Sequence, residues 1–188
     1  MKKSSLKNLA IVISFLLGIV AIISLFFPAF IKTSDNSINS YSLIGFVIGK
    51  VSLQTKTKNN INISFYDGGL STFALISFIL IALGLLVIIS SFFIKKNNIL
   101  LIIGGITLIV GSIFIWMIKV NGSDIVFAKI EAGPFNYVGK KTFAEFFNPE
   151  NNYTKDFNYG YGLIIYFVAS LLSGLISIGS SFIVTKKR

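Results

Sequence analysis

The sequence predicts a membrane protein of the all-α class, a four-helix transmembrane bundle with a small extracytoplasmic cap that contains β-structure. Three observations lead there. The 188 residues are 54% hydrophobic but only 13% charged, against roughly a quarter charged in an ordinary soluble domain. The apolar residues gather in four windows, Leu9–Ile31, Leu70–Ile94, Ile99–Ile118 and Tyr161–Val184, none of which holds Asp, Glu, Lys, Arg or His. Each is close to the ~20 residues that a helix needs to cross a hydrocarbon core of ~30 Å. The charges outside these windows are also sorted by sign, with purely basic and mixed segments alternating along the chain.

The first window, 9–31, follows Lys2, Lys3 and Lys7. It is longer than the apolar core of a secretory signal, and its exit Phe26-Phe27-Pro28-Ala29-Phe30 is too bulky for a small-x-small cleavage site. It reads as a retained helix. The loop 32–69 then turns to β-structure. Ile61, Ile63 and Phe65 alternate with Asn62, Ser64 and Tyr66, the period of a strand that buries one face. Tyr41–Leu53 upstream is rich in β-branched and aromatic residues, and Lys56-Thr57-Lys58-Asn59-Asn60 between them is a polar turn signal. A hairpin is expected, with the isoleucine side of its second strand covered.

Windows 70–94 and 99–118 are joined by a short link that contains Lys95 and Lys96. The loop 119–160 is mixed. Asp124–Ile130 reads as a strand or as an extension of the third span, and Thr142-Phe143-Ala144-Glu145 has the spacing of a capping box, predicting a short helix that ends before Pro149. In the last window Ala169, Ser173, Ser177 and Ser181 recur every four residues, beside Ser170 and Gly174, with a weaker echo in Gly104-Gly105, Thr107 and Gly111 of the third. Small residues at this spacing let helix backbones approach closely. Packing within the chain is the expected use, and a polar path or a homodimer seam is the alternative. Spans two and four also align at their ends, Gly84-Leu85 with Gly174-Leu175 and Ser90-Ser91-Phe92 with Ser180-Ser181-Phe182, as a duplicated pair of hairpins would.

The net charge of +10 is not a nucleic-acid signal once its distribution is considered. Lys2, Lys3, Lys7, Lys95, Lys96, Lys186, Lys187 and Arg188 flank the spans with no acid among them, whereas Asp35, Asp67, Asp124, Glu131, Glu145, Glu150 and Asp156 all fall in the two long loops. The positive-inside rule then makes the basic segments and both termini cytoplasmic and the long loops external, a multi-pass arrangement expected in the cell membrane. Trp116 and the tyrosines sit toward the external side, as interfacial rings do. The inner lysines suit anionic lipid.

Cysteine and histidine are both absent, which removes disulfides, thiol nucleophiles and the commonest metal ligand. The spans hold no ionisable group of the kind that proton and ion transporters keep, and the loop acids show no paired or EF-hand spacing. No catalytic, cofactor-binding or metal-ligating residue is assigned. Asn62, Asn121 and Asn152 begin Asn-x-Ser/Thr sequons, but the lysine-, isoleucine- and asparagine-rich usage suggests a low-GC bacterial genome in which they would be idle.

Leu25-Phe26-Phe27-Pro28-Ala29, Tyr41-Ser42-Leu43-Ile44-Gly45-Phe46 with Ile48-Gly49, and the Lys95-Lys96 turn resemble an uncharacterised group of four-span proteins of low-GC Gram-positive bacteria and mollicutes. That resemblance covers about the first 120 residues and implies topology alone. The layout is also similar to claudin-like tetraspan proteins, but the Trp…Leu-Trp…Cys…Cys signature of that family is missing, so no barrier or pore activity is implied. The expected function is a non-enzymatic integral membrane protein that meets a protein partner or a second copy through its outer loops. The expected contact surface is Tyr41–Phe46, Phe65-Tyr66, Phe143–Phe147 and Tyr153–Tyr161. A small transporter or channel subunit for a neutral solute, using Ser173 and Ser177, is the alternative.

Overall fold

The structure, a computed structural model, describes residues 3–34, 37–58, 60–67, 70–94, 98–120, 125–126 and 157–183. In chain order its elements are α1 (Lys3–Ser24), β1 (Pro28–Ser34), β2 (Ser37–Ser42), α2 (Leu43–Ile48), β3 (Lys50–Thr57), β4 (Ile61–Asp67), β5 (Leu70–Ser71), α3 (Thr72–Ser90), α4 (Asn98–Val120), β6 (Ile125–Val126), β7 (Phe157–Tyr159) and α5 (Tyr161–Ser181). Helices α1, α3, α4 and α5 are each long and apolar enough to cross a membrane. The chain divides into two compact units, one of Met1–Ile23, Ser77–Ile113 and Ile165–Arg188, the other of Ser24–Ile76 and Phe114–Ile164.

The first unit is helical, and it is apolar outside as well as inside, where Ile11, Ile81, Leu85, Ile88, Leu101 and Leu108 are buried. Leu9, Leu16, Val20, Leu83, Leu86, Ile103, Ile106, Ile113, Val168, Leu172 and Leu175 are exposed, while Ser14, Ser77, Ser112, Ser170, Ser173 and Ser177 are fully buried. A water-soluble bundle places its apolar stripe inward. Here apolar residues also cover the outside, and small and hydroxylated residues share the seams with the buried aliphatic ones.

Helix order follows from those seams. Gly84 of α3 lies against Gly104 of α4, where an added Cβ would come 3.0 Å from the Gly104 carbonyl oxygen. Gly174 of α5 meets the next glycine, and a Cβ there would come 2.6 Å from the Gly105 carbonyl oxygen. Helix α4 therefore carries α3 on one glycine and α5 on its neighbour. The matched positions Gly84 and Gly174 do the same work, and Ser91 and Ser181 each donate to the carbonyl three residues back, those of Ile88 and Ile178. Within this unit α1 and α4 run parallel and start together, since the Lys7 ammonium donates to Asn98 Oδ1 at 2.6 Å.

The second unit is built on a five-stranded sheet in the order β4-β3-β2-β1-β7, every neighbour antiparallel. Four of its strands come from the first long loop and β7 from the second, so one sheet ties both loops together. A two-stranded sheet of β5 and β6 ties them again. The hairpin expected around residues 56–60 is present, with the Thr57 amide donating to the Asn60 carbonyl at 2.9 Å. Upstream, the strand-like run Tyr41–Leu53 is broken by α2. That short helix stops at Gly49, whose φ of 73° is the left-handed conformation that ends helices and that glycine adopts at no steric cost. Helix α3 starts on the Ser71 hydroxyl, which accepts from the Ala74 amide as an N-cap.

Three sequence expectations change. The first span was expected to run to Ile31. The helix instead ends at Ser24, and Pro28–Ser34 is a strand, because the chain here pairs with β2 and β7 and seats Phe30 edge-on against Phe46. The second span begins at Thr72, its expected first two residues forming β5. Of the segment 124–130, residues 125–126 form β6. The remainder of that segment and the capping-box helix at 142–145 lie outside the described residues.

The third correction concerns β4. Direct partners across a sheet share a face, and the register runs Tyr159–Phe30–Tyr41–Leu53–Ser64 in one row and Ile61–Lys56–Ile38–Thr33 in another. Phe30 and Tyr41 are buried, each 5% exposed, whereas Ile61 and Ile63 are 58% and 59% exposed. The alternation identified a strand, but its isoleucines share the open face. The closed face belongs to the row that contains Phe30, on which Phe46 and Tyr159 pack, with Trp116 tilted against Tyr159 at 5.3 Å between ring centroids.

Candidate functional site

Two features were candidates for function: the serine face of the last helix and the surface of the loops. The serines are held in helix–helix bonds. Ser14 of α1 donates to the Ser173 carbonyl at 2.7 Å, and Ser173 of α5 donates back to the Ser14 carbonyl at 2.6 Å. Ser177 donates to the Leu101 carbonyl of α4 at 2.8 Å. Ser77 of α3 donates to the Gly111 carbonyl at 2.6 Å and lies 3.2 Å from the Tyr166 phenol oxygen of α5.

These bonds share a chemistry. A hydroxyl in an apolar surrounding needs an acceptor, and a helix offers spare lone pairs on carbonyls that already accept one bond. Ser170, Ser180 and Ser181 satisfy themselves on their own helix, through the carbonyls of Tyr166, Ser177 and Ile178. Thr107 does the same with Ile103. Ser173 and Ser177, the residues expected to line a solute path, are fully buried and carry helix contacts. Packing is the use the structure makes of the four-residue repeat.

Of the loop surface expected to make contacts, one part is buried, one part is exposed and the rest lies outside the described residues. In Tyr41–Phe46, Tyr41, Leu43, Gly45 and Phe46 are buried and help to close the sheet. Tyr161 is 52% exposed and stands 5.6 Å from Phe27 between ring centroids. The side chains of Phe65 and Tyr66, and residues 143–147 and 153–156, lie outside what is described. Among the described residues of the sheet, Ile38, Ile61 and Ile63 are exposed, with Lys56 and Gln54 among them. Only the pairing register, which places Ile61 and Ile63 in the rows of Lys56 and Gln54, shows which way the strand faces.

The β1–β7 join depends on two glycines. The Gly160 amide donates to the Ala29 carbonyl at 2.7 Å, and any side chain at Gly160 would meet the Pro28 carbonyl oxygen. A Cβ at Gly162 would lie 2.6 Å from the Phe27 carbonyl oxygen. Both positions need glycine for close approach, a signal the sequence offers only as Tyr159-Gly160-Tyr161-Gly162.

Asp67 is placed on β4, opposite Lys50. Asp35, Asp124, Glu131, Glu145, Glu150 and Asp156 lie outside the described residues, and among the described residues no group of three His, Cys, Asp or Glu comes together. Asn62 is exposed on β4, and Asn121 and Asn152 fall outside. Compared with known proteins, the chain matches no family and no curated protein.

Proposed function

We propose that this chain is a non-enzymatic, four-span integral membrane protein whose two long loops form one external sheet that meets a protein partner or a second copy. The observation that carries the membrane reading is the apolar exterior of the helical unit, with leucine, isoleucine and valine outward while serines are buried among the aliphatic residues of the seams. In lipid there is no hydrophobic drive between helices, and small-residue contact with carbonyl-directed hydroxyls is what holds them together. In water the same surface would be an aggregation hazard. Phe93 and Phe182, just past the ends of α3 and α5 and 83% and 72% exposed, precede Lys95-Lys96 and Lys186-Lys187-Arg188 in the chain. This belt suits the cytoplasmic headgroups and supports termini on that side.

The interaction reading rests on the sheet. Strands from both loops pair in it, the second loop giving residues 157–159, and it leaves an apolar patch uncovered by any described residue. The buried serines argue in the same direction, since a wall whose hydroxyls are engaged offers a solute little to bind. In-cell cross-linking followed by affinity purification tests the proposal. A defined partner or a defined oligomer is expected, and a monomer in both native membrane and mild detergent would overturn it.

A further inference from the structure

Three of the long helices have an end beside one short element, α2. The spans Ser5–Ser24, Thr72–Ser90 and Tyr161–Ser181 are 20, 19 and 21 residues long, about 30 Å each at 1.5 Å per residue, which is the thickness of a bilayer's hydrocarbon core. On the four-span reading, Ser24, Thr72 and Tyr161 therefore fall at its boundary on the loop side. Helix α2 is fastened at that level. The Ile44 amide donates to the Leu25 carbonyl at 2.7 Å and the Leu43 amide to the Phe27 carbonyl at 3.2 Å, directly after α1. At the other end of α2, a Cβ built at Gly49 would lie 3.5 Å from the Leu70 Cβ, two residues before α3. Phe27 in turn packs against Tyr161, the first residue of α5.

The residues left open around α2 are apolar. Phe26, Phe27, Ile48, Leu70 and Tyr161 are 41–67% exposed, while Leu43, Gly45, Phe46 and Val47 turn the rest of α2 inward. Segments 25–31, 41–49 and 68–94 hold no charged residue. The first charge after α2 is the exposed Lys50, whose stem is long enough to carry its ammonium up to the phosphates. Along the chain this rim runs into the exposed apolar positions of the spans, with Ile23 before Phe26 and Ile164 after Tyr161. Aromatic rings at this depth suit the headgroup boundary, and a short helix lying in that plane buries its outer side chains there. We infer that α2, with Phe26, Phe27, Leu70 and Tyr161, is an interfacial anchor that seats the base of the loop-built unit in the headgroup–acyl boundary of the bilayer. This rests on the four-span reading and names lipid as the partner of this part of the loops.

Absence of native cysteine allows the test at full length. Single cysteines replacing Ile48, Leu70, Lys58 at the hairpin and Leu172 midway along α5 are labelled with bimane, and each protein is reconstituted in vesicles of phosphatidylcholine and phosphatidylglycerol. A nitroxide near the headgroup end of the acyl chain is expected to quench the label at Ile48→Cys about threefold more than the label at Lys58→Cys. Leu70→Cys should follow Ile48→Cys, so that the result does not hang on one substitution, and a nitroxide at the methyl end of the chain should quench Leu172→Cys most strongly. Three results would overturn the inference: quenching at 48 and 70 by aqueous iodide but not by lipid, protection of both from both quenchers, as under a covering protein segment, or equal lipid quenching at 58. If Leu172→Cys is quenched by lipid and the loop positions are not, the anchor is refuted and the four-span reading stands; if none is quenched, both fall.

Discussion

Ser14 and Ser173 each donate a hydroxyl proton to the other's backbone carbonyl, at 2.7 and 2.6 Å, so that α1 and α5 are joined by a reciprocal pair of bonds. Both residues are fully buried. The bonds are of the kind that links helices within a bilayer, where one hydroxyl contributes on average about 0.6 kcal/mol and at most about 1.7. They engage Ser173, the residue of α5 expected to line a solute path.

Replacing either serine by alanine should therefore lower unfolding stability in lipid bicelles by about 0.6–1.7 kcal/mol. Ser173→Leu should cost more, since a larger side chain has no room at a position with 0% exposure. Equilibrium unfolding of the variants checks both. Solute flux in liposomes should be unaffected by Ser173→Ala.

Gly174 and Gly179 lie on the same helix and should respond in opposite ways. A Cβ at Gly174 meets the Gly105 carbonyl oxygen at 2.6 Å, whereas one at Gly179 meets nothing within 4 Å. Gly174→Ala should destabilise by about 1–3 kcal/mol, the usual cost of overpacking. Gly179→Ala should be neutral or stabilising by up to about 1 kcal/mol through helix propensity. Thermal unfolding of the two variants side by side makes the comparison.

Gly160→Ala should part the two loops. The new methyl would strike the Pro28 carbonyl and displace the Gly160 amide from Ala29. A disulfide engineered between Ile31 and Asn158, which are register partners, should form readily in the parent and poorly in this variant. The β5–β6 tie would remain as the second link.

Much of this architecture is legible in the sequence, because span length and charge-free composition are local properties. The four helices, the 56–60 hairpin and the glycine and serine seams all follow from patterns within one segment. What is not legible depends on distant residues. Pro28–Ile31 is apolar enough to continue the first span, yet opens β1 because strand partners come from β2 and from residues 157–159. Ile61 and Ile63 alternate as core residues do, but Phe30 and Tyr41 occupy the covered face first. The burial within Tyr41–Phe46 has the same reason: aromatic Tyr41 and Phe46 are spent closing the sheet, while Ile38, Ile61 and Ile63 stay exposed.

The central claim is that the four long helices cross a bilayer, with the loop-built sheet on one side and the lysine-rich ends on the other. Single cysteines in this thiol-free chain, one replacing Asn60 in the hairpin and one replacing Asn97 in the α3–α4 link, report it through labelling of intact cells with a membrane-impermeant maleimide. The account predicts that the cysteine at 60 reacts from outside and that the one at 97 reacts only after the membrane is opened. Equal labelling of both in intact cells, or protection of both until lysis, would contradict it.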